Sequence, residues 1–140
     1  MQFYQTHLQL PAFKRGYHLI TGHVTKAAGF LYQIQQGMFQ VFIQHTSASL
    51  CINENADPSV RQDFSTYFNH LAPENSPLYT HTQEGPDDMP AHLKAAILGT
   101  QVLIPITNRK LNLGLWQGIY LGEHRNHASG RSLIISAWGA

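Results

Sequence analysis

Apolar and polar residues repeat along this chain with a period that shifts between strand-like and helix-like. Gln2 to Leu10 alternates: Phe3, Gln5, His7 and Gln9 face one way, Tyr4, Thr6, Leu8 and Leu10 the other. That pattern predicts a strand, which Pro11 ends. Gly16 to Ile20 predicts a second short strand, and Thr21 to Phe30 a short helix closed by Gly29. From Met38 to Gln44 the alternation is strong. Phe39, Val41 and Ile43 share an apolar face that His45 prolongs, and Leu50 to Asn53 reads as an apolar return strand. Asp57-Pro58 reads as a helix N-cap followed by proline at the first helical position. Val60, Phe64, Tyr67, Phe68 and Leu71 then fall at helical spacing, which predicts an amphipathic helix over residues 58–71. Pro90 to Leu98 predicts another helix, with Met89 at its N-cap and Gly99 after its end. Gln101 to Ile106 is an apolar strand in which Pro105 marks an edge or an end. Trp116 to Glu123 and Ser132 to Trp138 complete the set. About seven strands and two or three helices in mixed order predict an α+β fold rather than a doubly wound sheet.

Composition narrows the class. The 140 residues fit one domain, residues 1–140, large enough to bury a core without disulfides. A formal net charge of +1, with Lys and Arg scattered, supplies no electrostatic footprint for nucleic acid. No apolar run is long enough to span a bilayer and no secretory leader pattern opens the chain, so a cytoplasmic protein without a membrane partner is expected. The single Cys51 sits between Leu50 and Ile52 and reads as a small buried hydrophobe rather than a nucleophile.

Charge placement is the informative departure. Only eight residues are acidic, and six of them fall in three short polar stretches: His45 to Asp57, His81 to His92, and Trp116 to Arg125. Unpaired carboxylates are costly to bury, so this concentration suggests one polar site. His45, at the end of an apolar strand face, is partly desolvated and expected to stay neutral, the form a metal ligand or general base requires. Thr46, Ser47 and Ser49 beside it could bind an oxyanion or make a turn. Asp57 is explained as an N-cap, whereas Asn53 and Asn55 either orient a ligand or stabilise a turn. Glu84, Asp87 and Asp88 lie in a Gly-Pro turn before a helix. Capping explains at most one aspartate there, and the rest could hold a divalent cation. His92 is placed in the first helical turn, where the dipole favours neutral imidazole. Gln117 and Glu123 share a strand face. Glu123 either pairs with Arg125 or Arg131 or works in a site. Gly118 and Gly122 at alternate positions leave room for a close approach. No HExxH, CxxC pair, nucleophile elbow or phosphate-binding glycine loop is present.

In order along the chain, His45-Thr-Ser-Ala-Ser-Leu50, Asn53-Glu-Asn-x-Asp57-Pro58, Glu84-Gly-x-Asp87-Asp88-Met-Pro-x-His92, Gly114-x-Trp116-Gln-Gly-Ile119 and Glu123-x-Arg125 resemble the YjbQ-like proteins. These are often called the secondary thiamine-phosphate synthase enzymes. The resemblance covers Gly16 to Ser136. It implies a seven-stranded β-sandwich of two sheets with two main helices, assembled as a homotrimer. It implies a polar pocket of motif residues and a weak transferase activity that joins a pyrimidine diphosphate to a thiazole phosphate, releasing pyrophosphate. On that reading His45, His92 and Asp88 are catalytic. Thr46, Ser47, Ser49, Asn53, Asn55, Gln117, Glu123 and Arg125 bind the small phosphorylated substrate, with Arg125 as a bidentate phosphate donor. A divalent metal, Mg or Zn, would be held among His45, Glu84, Asp87, Asp88 and His92. The competing reading is a trimeric metal- or small-anion-binding protein without efficient turnover.

Overall fold

A computed structural model describes all of residues 1–140. Eight strands form two antiparallel sheets. β1 (Gln2–Gln9), β3 (Gln36–Ile43), β5 (Gln101–Thr107), β6 (Lys110–Leu111) and β8 (Ser132–Gly139) make a five-stranded sheet in the order β1-β8-β3-β5-β6. β2 (Gly16–Leu19), β4 (Ala48–Glu54) and β7 (Gln117–Glu123) make a three-stranded sheet in the order β2-β7-β4. The helices are α1 (Thr21–Ala27), α2 (Pro58–Leu71) and α3 (Asp88–Leu98).

The alternation in the sequence sets the layering. β3 buries Phe39, Val41 and Ile43, β5 buries Val102, Ile104 and Ile106, and β8 buries Leu133, Ile135 and Ala137. These side chains meet Leu50, Ile119 and Leu121 of the smaller sheet in a continuous apolar core. β7 is buried at six successive residues from Gly118 to Glu123, because α2 covers the smaller sheet's outer face. There Tyr17 of β2 packs against Phe64 and Phe68 of α2, and Phe64 packs against Tyr120. No helix is long and apolar enough to cross a membrane.

Several details depart from the pattern. The expected helix from Thr21 to Phe30 stops at Ala27, with Ala28 as its C-cap, and continues as a 3-10 turn over Gly29–Gln33. Gly29 therefore opens a second element instead of closing the first. An eighth strand, β6, was not expected; two residues carry no periodicity. Pro105 lies in β5 opposite Met38, and β6 pairs only with the far end of β5. The strand is thus nearly an edge, where proline is tolerated. α3 begins at Asp88, so Pro90 is its third residue and Met89 is no cap. The cap position falls to Asp87, whose side chain makes no capping bond.

Candidate active site

Three side chains from α3 and the loop before it face one another. His81 Nε2 lies 2.6 Å from Asp88 Oδ2, and His92 Nε2 lies 3.1 Å from the same oxygen. His81 is on the loop before α3. Asp88 and His92 sit four residues apart on α3, which puts them on one helical face. The two nitrogens and the carboxylate oxygen all lie within 4.8 Å of one another. Asp88 is 1% exposed and His92 is half-buried.

The second ring nitrogen of His92 decides what this contact means. Nδ1 lies 2.8 Å from the carbonyl oxygen of Thr46, which can only accept. Nδ1 therefore carries the proton, and in the neutral ring Nε2 presents a lone pair. A lone pair 3.1 Å from a carboxylate oxygen is repulsive unless a cation stands there, either a proton on Nε2 or a metal ion. A histidine fixed through Nδ1–H to a carbonyl, with Nε2 aimed at a carboxylate, has the outer-sphere arrangement of a metal ligand.

Arg125 orients the carboxylates. Its Nε donates to Asp87 Oδ2 at 2.9 Å, one terminal nitrogen donates to Asp88 Oδ1, and the other donates to the Glu84 carbonyl at 2.9 Å. Holding Oδ1 of Asp88 turns Oδ2 toward the histidines. Burial raises the Asp88 carboxyl, but the His81 hydrogen bond and the charges of His92 and Arg125 outweigh it and hold the group below its usual range. Asp87 is lowered in the same way: burial opposes, and the Asn126 N–H and Arg125 win.

Behind Arg125, the backbone N–H of the same residue donates to Glu123 Oε2 at 3.1 Å. Glu123 is 1% exposed and is clamped by Arg131 through Nε to Oε1 at 2.7 Å and a terminal nitrogen to Oε2 at 2.6 Å. Between them lies His124, whose Nε2 is 2.8 Å from Ser49 Oγ. Burial, then the charges of Lys94, Arg131 and Arg15, press the His124 imidazole down to about 3. Gly122 makes that contact possible. A Cβ there would collide with Ser49 Oγ and come within 2.8 Å of His124 Cε1.

The expected site residues fall into three groups. Asp88 and His92 come together, with the Thr46 carbonyl behind His92. His45 does not join them. Its Nε2 accepts the Ser132 N–H at 2.8 Å and so has no free lone pair for a metal. Its imidazole is lowered by burial and by Arg131, as the apolar strand face implied, with Glu123 opposing. Asp87 and Glu84 are not ligands in this geometry, because Asp87 is occupied by Arg125 and Asn126, and Glu84 contributes its carbonyl. Arg125, expected to grip a phosphate, has all three nitrogens engaged within the chain. Ser47 offers its carbonyl to Arg131. Asn53, Asn55 and Gln117 lie elsewhere. Asn53 accepts the Glu54 N–H, Asn55 donates to the carbonyls of Leu115 and Gln117, and Gln117 accepts the Gly114 N–H. They brace the turn entering β7, at the opposite end of the β4–β7 ladder from Glu123. His81 was not expected. It lies on a loop without periodicity, and its only signal was its position in the same polar stretch, seven residues before Asp88.

This fold and this arrangement of motif residues define a family. The family model described as "UPF0047 protein YjbQ-like" matches residues 6–140, and the chain belongs to this YjbQ/UPF0047 family. The UPF0047 protein YjbQ of Salmonella typhimurium is 43% identical over 137 residues, which is 98% of this chain and 99% of that protein. A UPF0047 protein of Synechocystis is 47% identical over 106 residues, covering 76% of this chain and 72% of the other. Among solved structures, a YjbQ/UPF0047 family protein of Clostridium acetobutylicum superposes with a TM-score of 0.84 at 33% identity, covering 95% of this chain and 99% of that one. A YjbQ-like protein of unknown function from Sulfolobus solfataricus shares the fold, with a TM-score of 0.86 at 22% identity and 99% coverage of both chains.

Proposed function

We propose that the chain is a cytoplasmic metal-dependent transferase of the thiamine-phosphate synthase type, joining a pyrimidine diphosphate to a thiazole phosphate at the His81–Asp88–His92 site with weak turnover. The carrying observation is the convergence of His81 Nε2, His92 Nε2 and Asp88 Oδ2 within 4.8 Å of one another, with the His92 ring held from behind by the Thr46 carbonyl. Two imidazoles and one carboxylate are a donor set suited to zinc and similar ions, whereas magnesium prefers oxygen donors and water. A divalent cation bound there supplies positive charge to the departing pyrophosphate. His81 and His92 provide nitrogen ligands and Asp88 Oδ2 the oxygen ligand. Arg125 fixes the carboxylate, and the Thr46 carbonyl fixes the His92 ring. The internal engagement of Arg125 leaves no arginine fork free for a diphosphate, which favours slow turnover. It also keeps the second reading in view, a trimeric metal- or small-anion-binding protein without efficient turnover.

A homotrimer is part of this proposal. The outer face of the five-stranded sheet aligns Phe3, Trp138, Met38 and Pro105 in one row, and His7, Ile134, Phe42 and Gln101 in another. Phe3 is 63% exposed, Leu103 52% and Phe42 42%. Exposed apolar side chains on a face that also carries Gln5, Ser136 and Gln40, together with an open β1 edge, fit other copies of the chain.

Elemental analysis of protein purified without chelator should find about one equivalent of zinc or a similar ion, lost in Asp88→Asn. Metal-loaded protein should release pyrophosphate from the two substrates, and chelator should abolish this. Metal binding without pyrophosphate release would reject the transferase and leave the metal-binding protein, and no metal at all would reject both of these and leave only a small-anion-binding protein. Light scattering at micromolar concentration should give three times the 15.7 kDa chain mass; a monomer would refute the assembly.

A further inference from the structure

A second polar cavity opens between β2, α2, α3 and the end of β7. Its volume is about 210 Å³, and its lining includes Arg15, Tyr17, Asn69, Lys94, Glu123 and His124. It shares no residue with the His81–Asp88–His92 cluster.

Two of its groups lack partners that burial demands. Lys94 is 2% exposed, yet it forms no ion pair, and of its three donors one is accounted for, by Asn69 Oδ1 at 2.6 Å. That same oxygen also accepts from Arg15 at 2.8 Å. Burial, then the charge of Arg15, lowers the ammonium to about 8, while Glu74 and Asp87 pull the other way. The Tyr17 hydroxyl is buried with no hydrogen-bond partner, on a residue 7% exposed. Buried polar groups in folded proteins are nearly always paired, so each orphan calls for an explanation. The carboxylates nearby do not supply it. Glu123 has both oxygens in the grip of Arg131, and Glu74 is held by Arg15 at 2.7 Å.

An acceptor is missing on both groups, and an anionic one with several oxygens would serve a lysine on α3 and a tyrosine on β2 together. A cavity of this volume has room for several waters, hence for a tetrahedral oxyanion with a small organic remainder. We propose that this cavity binds a phosphate or phosphate-monoester group, with Lys94 supplying the charge that no carboxylate meets and Tyr17 a neutral O–H donor; Arg15, already paired with Glu74, lines the cavity without a free charge to give. The site stands without the metal reading and does not require it.

The test is calorimetric titration of the native chain with inorganic phosphate and, separately, with methyl phosphate. EDTA is present throughout, so that the histidine–aspartate site cannot contribute. Saturable binding is expected, insensitive to chloride at equal ionic strength. Lys94→Met should weaken it roughly tenfold or more, the size of a lost charged hydrogen bond. Tyr17→Phe removes only an unbonded hydroxyl, so its melt should hold while phosphate affinity falls several-fold. Tighter binding of methyl phosphate would identify an ester as the ligand, and preference for inorganic phosphate would identify the free ion. Absence of saturable binding in the native chain, or native affinity in Tyr17→Phe or in a folded Lys94→Met, overturns the proposal. If Lys94→Met fails to fold, Tyr17→Phe decides alone.

Discussion

The two ends of the β4–β7 ladder carry similar polar side chains and use them differently. At one end, Asn53, Asn55 and Gln117 each bond to backbone within a few residues of the turn they shape. At the other end, Glu123, His124 and Arg125 leave β7 in succession toward three different partners: Arg131, Ser49 and the aspartates of α3. The ends lie about 20 Å apart at the rise of an extended strand. The first end is complete in itself. The second gathers two imidazole nitrogens around one carboxylate oxygen and, in the adjoining cavity, leaves a lysine and a tyrosine short of partners. Polar residues whose bonds all close locally are scaffolding, whereas those that leave a mismatch are where a ligand fits.

The sharpest way to break this contrast is to remove the buried carboxylate. Glu123→Gln leaves Arg131 without its counter-charge inside the protein, and breaking a buried pair from one side costs about 3–5 kcal/mol. Urea unfolding should show that loss. A loss below about 1 kcal/mol would mean that water reaches the pair and that the two ends are energetically alike.

Acid should act through the same end. The His124 imidazole titrates near 3 in the folded chain and near 6.5 when unfolded. Between those values the unfolded state holds the extra proton, so stability rises with pH across the window and falls on acidification from 6.5 toward 3. Asp87 and Asp88, lowered in the folded state, add a loss in the same direction below the ordinary carboxylate range. The histidine alone accounts for ~3–5 kcal/mol across the full window. Thermal melts as a function of pH test this, and replacing His124 with Phe should flatten the upper part of the profile. An equally steep profile in that variant would place the acid sensitivity elsewhere.

What could be read from the sequence follows from what periodicity reports. β3 and β5 were legible because each buries one face, α2 because Val60, Phe64 and Phe68 turn half-buried toward the sheet although Tyr67 and Leu71 stay exposed, and the Asp57 N-cap because its carboxylate accepts the Ser59 N–H as the Asp-Pro signal implied. α3 was placed two residues late, since a proline at its third position looks the same in sequence as one at its first. Asp88 and His92 stood out as polar residues at a helix start. His81 and Lys94 did not: a loop has no period, and a buried lysine on a helix resembles a solvated one until its neighbours are known. The expectation that every polar stretch feeds one pocket failed at Asn53, Asn55 and Gln117, because side chains that serve a turn and those that serve a ligand are chemically the same.

Gly122 tests how tightly the charged end is built. Gly122→Ala drives a methyl group against Ser49 Oγ and the His124 ring, both held by packing. Overpacking of this kind costs about 1–3 kcal/mol. Because the displaced ring lies beside Glu123 and Arg125, metal affinity at the His81–Asp88–His92 site should fall along with the melt. A variant that loses stability but keeps metal affinity would show that His124 packs without positioning its neighbours.

The smallest effect belongs to the other end. Asn55→Ala removes two bonds, to the Leu115 carbonyl at 3.2 Å and the Gln117 carbonyl at 3.1 Å, from a half-buried side chain. Net bonds of this sort contribute about 0.5–1.5 kcal/mol each, and partial exposure lets water replace some of that. A loss of about 1 kcal/mol is expected, measured by urea unfolding. Metal content and phosphate affinity should match the native chain, because nothing at this end reaches either site. If Asn55→Ala leaves stability intact but lowers either affinity, the turn that enters β7 is part of the ligand-binding surface, and the division between scaffold end and site end is wrong.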